Sequence, residues 1–178
     1  MMLATPIWSS DPTLSTIPSM TLIIHSIDEA KQHAGEHLGY SDWRVVDQDQ
    51  VNLFADATDD HQWIHVDLER AAAGPFGGTI AHGYLSLSMI PSLLKQVLDV
   101  DLDAIKVAIN YGCNRVRWPS PLKVGSKVRL GAKIASVEDL KNPLLGDGIQ
   151  MTVEIAIESE GEAKPNCVAQ VLYHFYPG

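Results

Sequence analysis

The second half of the chain alternates apolar and polar positions with a period of two. Four segments show this alternation, which predicts strands with one buried face. The stretches between them are rich in turn residues and hold no helical sequence long enough for a parallel crossover connection. We therefore expect an antiparallel sheet with strands at about residues 105–111, 128–134, 151–157 and 167–175.

Residues 83–97 show a different pattern, because their apolar side chains surround a helical wheel instead of forming one stripe. The apolar positions are Leu85, Leu87, Met89, Ile90, Leu93, Leu94 and Val97. A helix of this kind is predicted to be buried, and Pro91 near its middle is predicted to kink or divide it. One buried helix followed by antiparallel strands predicts an α+β fold in which the sheet wraps around a central apolar helix.

Helix-start signals occur three times in the first half of the chain. Ser26 and Glu29 form a capping box, in which each side chain can satisfy a free backbone amide. Two aspartates in N-cap positions mark the other two starts. These signals predict helices over about residues 27–35 and 47–58 and a short capped turn over 67–72, and strand-forming side chains predict a strand over 40–46.

Residues 1–20 contain several Thr, Ser and Pro residues and neither the basic nor the apolar region of a secretory signal. They are predicted to be a disordered tail before a single domain over residues 21–178. Met20 directly precedes the first patterned segment, so we hypothesise that the native start is Met20. Deleting residues 1–19 should then leave folding and activity intact.

The composition supports one folded domain and disfavours nucleic-acid and membrane functions. The 178 residues are 46% hydrophobic and 20% charged, as is typical of a globular protein of one domain. The net charge of -9 repels nucleic-acid phosphates and anionic membrane surfaces, and no apolar run approaches the ~20 residues of a membrane-spanning helix. Cys113 and Cys167 form no CxxC pattern, so we expect two reduced thiols in a cytoplasmic enzyme.

The densest titratable cluster lies at residues 58–67, which hold two His and three Asp. Asp60 and His65 are five positions apart, so on a tight loop their side chains can converge as an acid–base pair. The residues alone leave another interpretation open, in which Asp59 or Asp60 caps a turn and His65 is a hydrogen-bonded interior side chain. A metal site can also be drawn from His61, His65 and the two aspartates. No further ligand follows at a defined spacing, so no metal is expected.

Several short motifs follow one another along the chain. They are Asp-His-Gln-Trp-Ile-His-Val-Asp at 60–67, Glu-Arg-Ala at 69–71, Gly-Pro-Phe-Gly at 74–77 and Ile-Ala-His-Gly at 80–83. These motifs resemble the MaoC-like dehydratases, the (R)-specific enoyl-CoA hydratases of hot-dog fold. Further motifs are similar to the nodulation protein N-like branch, at 110–112, 114–121 and 124–126. The resemblance covers about residues 39–176 and is far more specific than one Asp–His pair.

The resemblance implies a hot-dog fold and an enzyme that hydrates trans-2-enoyl-CoA to (R)-3-hydroxyacyl-CoA, or catalyses the reverse dehydration. It implies that Asp60 and His65 are the catalytic pair and that the backbone amide of Gly83 binds the thioester oxygen. Free N–H groups at a helix start suit an oxyanion, although Gly83 could instead serve only tight packing. No metal or redox cofactor is implied, acyl-CoA is the expected partner, and an open sheet edge favours a homodimer.

Four side chains near these motifs are candidates for substrate contact: His61, His82, Tyr84 and Arg117. Arg115 and Arg117 are expected to alternate onto one strand face, from which they either meet coenzyme A phosphates or face solvent. His82 either orients the loop at the helix start or is a packed imidazole.

The acyl tunnel is expected to be lined by a shaped turn at residues 74–78. Its depth should depend on packing around Tyr84, Leu85 and residues 95–106. Asp59 stands where the wider family usually has Gly. An Asp there tolerates the left-handed backbone that Gly favours, and a second carboxylate beside Asp60 should disfavour ionisation of the pair and alter the pH optimum.

Two other functions fit the same resemblance less well. A hot-dog thioesterase would use a carboxylate to activate water against the thioester carbonyl, and release of free thiol would identify it. A non-catalytic acyl-CoA-binding protein is the second alternative, because one fold hosts many functions. The presence of both Asp60 and His65 argues against a protein that only binds.

Overall fold

The computed structural model describes residues 21–101 and 103–177. The expected tail over residues 1–20 and the hypothesised start at Met20 lie outside these residues. The elements follow in this order: β1 (Leu22–Ile24), α1 (Ile27–Gln32), β2 (His37–Tyr40), β3 (Arg44–Val45), α2 (Gln48–Thr58), α3 (Trp63–Val66), α4 (Leu68–Ala72), α5 (Gly83–Ser88), α6 (Ile90–Leu94), β4 (Leu98–Val100), β5 (Val107–Arg117), β6 (Lys127–Asn142), β7 (Gly146–Ser159) and β8 (Cys167–Tyr176).

The main sheet is antiparallel, as the period-two pattern predicts. Its strands lie in the order β2-β6-β7-β8-β5, and β3 also pairs with β6. β6 and β7 form a long hairpin that closes at the pair Asn142 and Gly146, and β8 runs beside β7. Each of the four predicted strands overlaps one of these strands. With the helix that packs on it, this sheet is the expected α+β hot-dog fold.

Two features of the strands differ from the prediction. Residues 40–46 do not form one strand, because Ser41 Oγ accepts the N–H of Leu130 at 2.9 Å and interrupts the regular pairing between β2 and β3. β1 and β4 form a separate parallel pair with Leu22 opposite Leu98. Strands of three residues are too short to show a periodic pattern, so the sequence does not predict this pair.

The three helix-start signals are confirmed. Ser26 Oγ accepts the N–H of Glu29 at 3.1 Å, and the carboxylates of Asp47 and Asp67 cap α2 and α4 in the same way. α1 is shorter than predicted, because the Gly35 N–H bonds to a carbonyl of β6 at 2.7 Å and the chain has left the helix. The one-turn helix α3 is too short for a period to reveal it.

The central helix is divided at Met89 into α5 and α6, and Pro91 lies in the first turn of α6, as predicted. Leu85, Met89 and Leu93 are at most 5% exposed. The expected complete burial is wrong for the single chain, because the sheet covers only one side of the helix. The other side is exposed at Tyr84, Ser88, Pro91 and Ser92.

The core lies between this helix and one face of the main sheet. Leu130, Ile134, Met151 and Val153 on β6 and β7 are fully buried there. Cys167 is buried and Cys113 is exposed, and both are free thiols. Among the described residues, no helix combines the length and the apolar character needed to span a membrane.

Candidate active site

Asp60 follows Asp59, the residue that caps the C-terminal end of α2. The N–H groups of Asp59 and Asp60 both bond to the carbonyl of Ala55, which ends the helix. Asp59 has φ 58° and ψ 26°, so it occupies the left-handed region that an Asp at this position is expected to tolerate. Its side chain is fully exposed and lies 3.8 Å from His61 Nδ1. The Asp60 side chain is 55% exposed, so its carboxylate can meet a substrate.

His65 lies on α3 and is only 6% exposed. Its Nδ1 is 2.7 Å from the carbonyl oxygen of Ile80. A carbonyl can only accept a hydrogen bond, so Nδ1 carries the hydrogen and Nε2 presents a lone pair when the ring is neutral. Burial lowers the pKa of His65, and His82 lowers it further, whereas the bond to Ile80 and the charge of Asp60 oppose this change. The structure therefore favours a neutral His65 at neutral pH.

His82 precedes α5 and contacts both members of the pair. Its Nε2–H donates to the backbone carbonyl of Asp60 at 2.9 Å, and its ring stacks on His65 with centroids 3.8 Å apart. Phe54 of α2 packs against it with centroids 5.1 Å apart. Nδ1 of His82 is buried and has no partner in the described part of the chain. Both roles considered for His82 are therefore present in the structure. Its imidazole is packed, and its hydrogen bond to the Asp60 carbonyl holds the loop that carries Asp60.

Asp60, His65 and His82 converge at one place, since one nitrogen or oxygen atom from each lies within 4.8 Å of the others. The expected convergence of Asp60 and His65 is thus present in the structure. A carboxylate beside a neutral imidazole can exchange protons with a bound molecule. The same three groups are spaced closely enough to hold a metal ion. They differ from the set drawn from the sequence, because His61 is not among them and His82 is.

Gly83 is the first residue of α5, where helical N–H groups have no acceptor within the helix. The indole N–H of Trp118 donates to the Gly83 carbonyl at 2.8 Å. A Cβ atom on Gly83 would lie 2.8 Å from Trp118 Cε2, so close packing requires a glycine here. The tight-packing interpretation of Gly83 thus has direct structural support. The role of its amide in binding an oxygen stays a prediction that this packing does not oppose.

The remaining candidates for substrate contact lie at the surface. His61 Nε2 contacts Asp56 Oδ1 at 2.9 Å, so its imidazole is held at the end of α2. Tyr84 is 67% exposed and packs against Trp118 with centroids 5.3 Å apart. Arg117 Nη1 donates to a backbone carbonyl of its own strand at 2.7 Å. Their contact with substrate stays a prediction.

Arg115 and Arg117 do not alternate regularly on one strand face. The register of β5 against β8 shifts between Asn114 and Arg117, and Arg115 has φ 53°. Such a bulge changes the face to which the following side chains belong. Both arginines are exposed. The expected alternation is therefore wrong, and the cause is a local irregularity that strand periodicity cannot reveal.

Two neighbouring cavities lie alongside the divided helix. The first, of about 350 Å³, is lined by Leu87, Ser88, Ile90, Pro91, Asn110, Cys113 and Val171. The second, of about 250 Å³, is lined by Pro91, Leu94, Lys95, Leu98, Asp99, Val100, Ala108, Asn110, Tyr173 and Phe175. They share two residues, so they adjoin. Part of the predicted segment 95–106 lines the second cavity, whereas Tyr84 and Leu85 line neither cavity. The contributions of β5 and β8 were not predicted.

Residues 74–78 line neither of these two cavities. A Cβ atom on Gly74 would lie 3.0 Å from the Trp63 ring, and the Arg70 guanidinium lies 4.5 Å from the centroid of the same ring. The turn therefore packs against α3, which carries His65. The expected lining of the acyl tunnel by this turn is not seen at these cavities, and Gly74 of the turn packs against Trp63 instead.

Known proteins share both sequence and fold with this chain. Residues 29–154 match the family described as MaoC like domain. The chain is 51% identical over 150 residues to 3-hydroxyacyl-thioester dehydratase Z of Mycobacterium tuberculosis, which covers 84% of this chain and 95% of that protein. It is 41% identical over 145 residues to nodulation protein N of Rhizobium leguminosarum bv. viciae, with 81% and 87% covered.

Among solved structures, the (R)-hydratase from A. caviae involved in PHA biosynthesis has a TM-score of 0.59 to this chain. The match covers 79% of this chain and 94% of that one. At 21% identity it is evidence for the shared hot-dog fold.

Proposed function

The chain belongs to the MaoC-like dehydratase family and is an enzyme of the lyase class, and from this premise we propose that it hydrates trans-2-enoyl-CoA to (R)-3-hydroxyacyl-CoA or catalyses the reverse dehydration. The observation that carries the proposal is the convergence of Asp60 with His65, whose pKa is lowered mainly by burial. Hydration needs one group that accepts a proton from water and one that orients the water, and these two side chains offer both.

In the proposed reaction, a water molecule lies between the Asp60 carboxylate and His65 Nε2. Asp60 accepts a proton from this water as the water oxygen bonds to C3 of the substrate. His65 positions the water and helps to deliver a proton to C2. The proton that Asp60 takes from the water is passed to C2 with the help of His65, so Asp60 becomes a carboxylate again, and the reaction consumes no other donor or acceptor and forms no covalent intermediate with the enzyme.

After the water oxygen has bonded to C3 and before C2 is protonated, negative charge develops on the thioester carbonyl oxygen. The amide of Gly83, at the start of α5, is proposed to donate a hydrogen bond to this oxygen. Because Asp60 and His65 lie on one connected segment, the water and the proton should reach the same side of the double bond. The expected product is the (R) enantiomer, formed by syn addition.

The proposal includes no metal or redox cofactor, since the reaction moves only protons and water. The coenzyme A portion of the substrate would meet the surface candidates His61, Tyr84 and Arg117. The compartment that we propose is the cytoplasm. Incubation with a chelator should leave hydration unchanged, and a loss that Zn²⁺ restores would show that Asp60, His65 and His82 hold a metal.

We further propose a homodimer. β5 lies at the edge of the main sheet, and its side chains Ile109 and Tyr111 are 37% and 61% exposed. Tyr84 and Pro91 are exposed on α5–α6, and Pro91 lines the same cavities as Asn110 of β5. A second copy that pairs along β5 would cover both. Light scattering during gel filtration should give twice the 19.5 kDa chain mass.

The decisive experiment follows the absorbance of the enoyl thioester with crotonyl-CoA and a longer homologue. A loss of absorbance without release of free thiol supports hydration. Release of free thiol would instead support the thioesterase, and binding without turnover would support the non-catalytic alternative. Chiral chromatography should then give one peak, and coupling to an S-specific 3-hydroxyacyl-CoA dehydrogenase should give no NADH. Brisk NADH formation would contradict the (R) assignment.

A further inference from the structure

The hydroxyl group of Tyr173 is buried without a hydrogen-bond partner in the described part of the chain. Burial, aided by the nearby Cys113 thiol, raises the pKa of Tyr173 to about 12. The group is therefore a protonated hydroxyl at any physiological pH and can donate a hydrogen bond. A buried hydroxyl that lacks a partner costs free energy, so native proteins usually satisfy such a group.

Tyr173 lines the second cavity, and the walls around it are largely apolar. They come from Leu94 and Leu98 near α6 and from Phe175 on β8. The charged groups on the lining neutralise each other, because Lys95 Nζ lies 2.7 Å from both carboxylate oxygens of Asp99. The lining also includes the polar residue Asn110. Tyr173 contributes to the same lining, and its buried hydroxyl is a donor without a partner among the described residues. A largely apolar cavity with few polar groups is a common design of sites that recognise one polar atom on an apolar ligand.

The position of this cavity relates it to the acid–base cluster. Gly83, Leu87, Pro91 and Leu94 recur at intervals of three or four residues, so they follow one side of the helix. Leu87 and Pro91 line the first cavity, and Pro91 and Leu94 line the second. Gly83 begins α5 and Leu94 ends α6, so these two residues mark the two ends of the divided helix. An acyl group anchored at Gly83 could therefore extend through the first cavity into the second.

We propose that the enzyme acts on acyl thioesters whose acyl group carries an oxygen function, a ketone or a hydroxyl, far from the thioester, and that the Tyr173 hydroxyl donates a hydrogen bond to this oxygen. This inference rests on the proposed function, because it places the thioester at Gly83. A simple alkyl group would fill the apolar cavity and leave the hydroxyl unsatisfied. An oxygenated group would fill the same space and satisfy the hydroxyl.

The test compares two enoyl-CoA substrates of equal length, one with a plain alkyl tail and one with a ketone near the tail end. Wild-type enzyme should show a higher kcat/KM for the ketone by roughly tenfold. Tyr173→Phe keeps the ring and removes the hydroxyl, so it should abolish this ratio. Moving the ketone close to the thioester should also abolish the ratio in the wild-type enzyme.

Tyr176→Phe is the matched control on the same strand. The hydroxyl of Tyr176 is bonded to Asn142 and does not line the cavities, so this variant should keep the wild-type ratio. Equal kcat/KM values for the two substrates in the wild type would overturn the proposal and indicate that the hydroxyl only holds water. An equal loss on both substrates in Tyr173→Phe, with loss of the dimer, would overturn it in favour of a structural role.

The experiments distinguish failure of the proposed hydration activity from failure of the Tyr173 contact. If neither substrate nor crotonyl-CoA is hydrated, the lyase assignment of the site fails. Calorimetric binding of the two saturated acyl-CoA analogues would still test the Tyr173 contact on its own. Tighter binding of the ketone analogue to the wild type than to Tyr173→Phe supports the contact, and equal binding contradicts it.

Discussion

The two ends of the divided central helix hold their polar groups in different ways. At the start of α5, His65 and His82 each bond to a backbone carbonyl, at 2.7 and 2.9 Å, and stack on each other. Beside α6, the cavity walls are mainly apolar and the Tyr173 hydroxyl has no partner among the described residues. The first end is fixed by hydrogen bonds, and the second is defined by its shape.

This difference indicates how the two ends divide the proposed reaction between them. A fixed polar arrangement suits proton transfer, because catalytic groups must lie within a fraction of an ångström of their working positions. An apolar cavity suits selection among acyl groups. Changes at the first end should therefore alter turnover of every substrate, and changes at the second end should alter the choice among substrates.

The largest effect is expected from removing either member of the acid–base pair. Asp60→Asn and His65→Gln should each lower kcat for crotonyl-CoA by at least ~100-fold, because a proton-transfer group is lost. His33→Gln is the control, since its imidazole pairs with Glu36 beyond the end of α1. Circular dichroism checks that each variant is folded. Turnover near the wild-type value in either folded variant would contradict the acid–base mechanism.

The next largest effect is expected at His82, which holds the Asp60 loop. His82→Leu removes the donor to the Asp60 carbonyl, so kcat should fall by roughly tenfold or more while KM changes less. His82→Gln keeps an N–H donor and should restore part of kcat. The measurement is steady-state kinetics on several chain lengths. A loss confined to long acyl chains would show that His82 belongs to substrate selection instead.

Gly83→Ala should lower the free energy of unfolding by about 1–3 kcal/mol, because its Cβ would lie 2.8 Å from Trp118 Cε2 and the packing must shift. Urea unfolding measures this change. Gly112→Ala is the matched control, since a Cβ there meets nothing within 4 Å. Alanine keeps the backbone N–H, so a Gly83→Ala protein as stable as the wild type but inactive would show that catalysis needs the space beside the amide, and not only the packing against Trp118.

The pH dependence should follow His65, whose pKa is lowered mainly by burial. The acidic limb of kcat/KM is expected below the ordinary histidine pKa of about 6.5. The unfolded chain binds this proton more readily than the folded chain, so the stability contribution is present above pH 6.5 and is lost as pH falls through the folded pKa. Urea unfolding at pH 7 and pH 5 should show a smaller difference in His65→Gln. An equal difference would contradict this origin.

The smallest effect is expected from Asp59→Gly. The Asp59 carboxylate is fully exposed and lies near His61, so solvent and salt screen its influence on the acid–base pair that includes His65. The acidic limb of kcat/KM should move to lower pH by less than about half a unit, and more at low salt than at high salt. A shift to higher pH would show that Asp59 does not act on the pair through its charge.

Much of the fold could be predicted from the sequence, because the signals are local. A strand with one buried face must alternate, and this gives the four long strands of the main sheet. Ser26, Asp47 and Asp67 satisfy amides within three residues of themselves, so their helix starts are also local events. The separation of Asp60 and His65 by five residues likewise allowed their convergence to be predicted.

The tertiary structure decided what depends on residues far apart in the chain. His82 reaches Asp60 across 22 positions and Ile80 fixes His65 across 15. The exposed side of the central helix results from where the sheet ends, and its apolar sequence by itself gives no sign of that. The cavity at Tyr173 forms where residues of α6, β4, β5 and β8 come together, so the unsatisfied hydroxyl is invisible in the alternating pattern of its strand. Local hydrogen bonds and periodicity are properties of a sequence, whereas enclosure and orientation arise only when distant segments pack together.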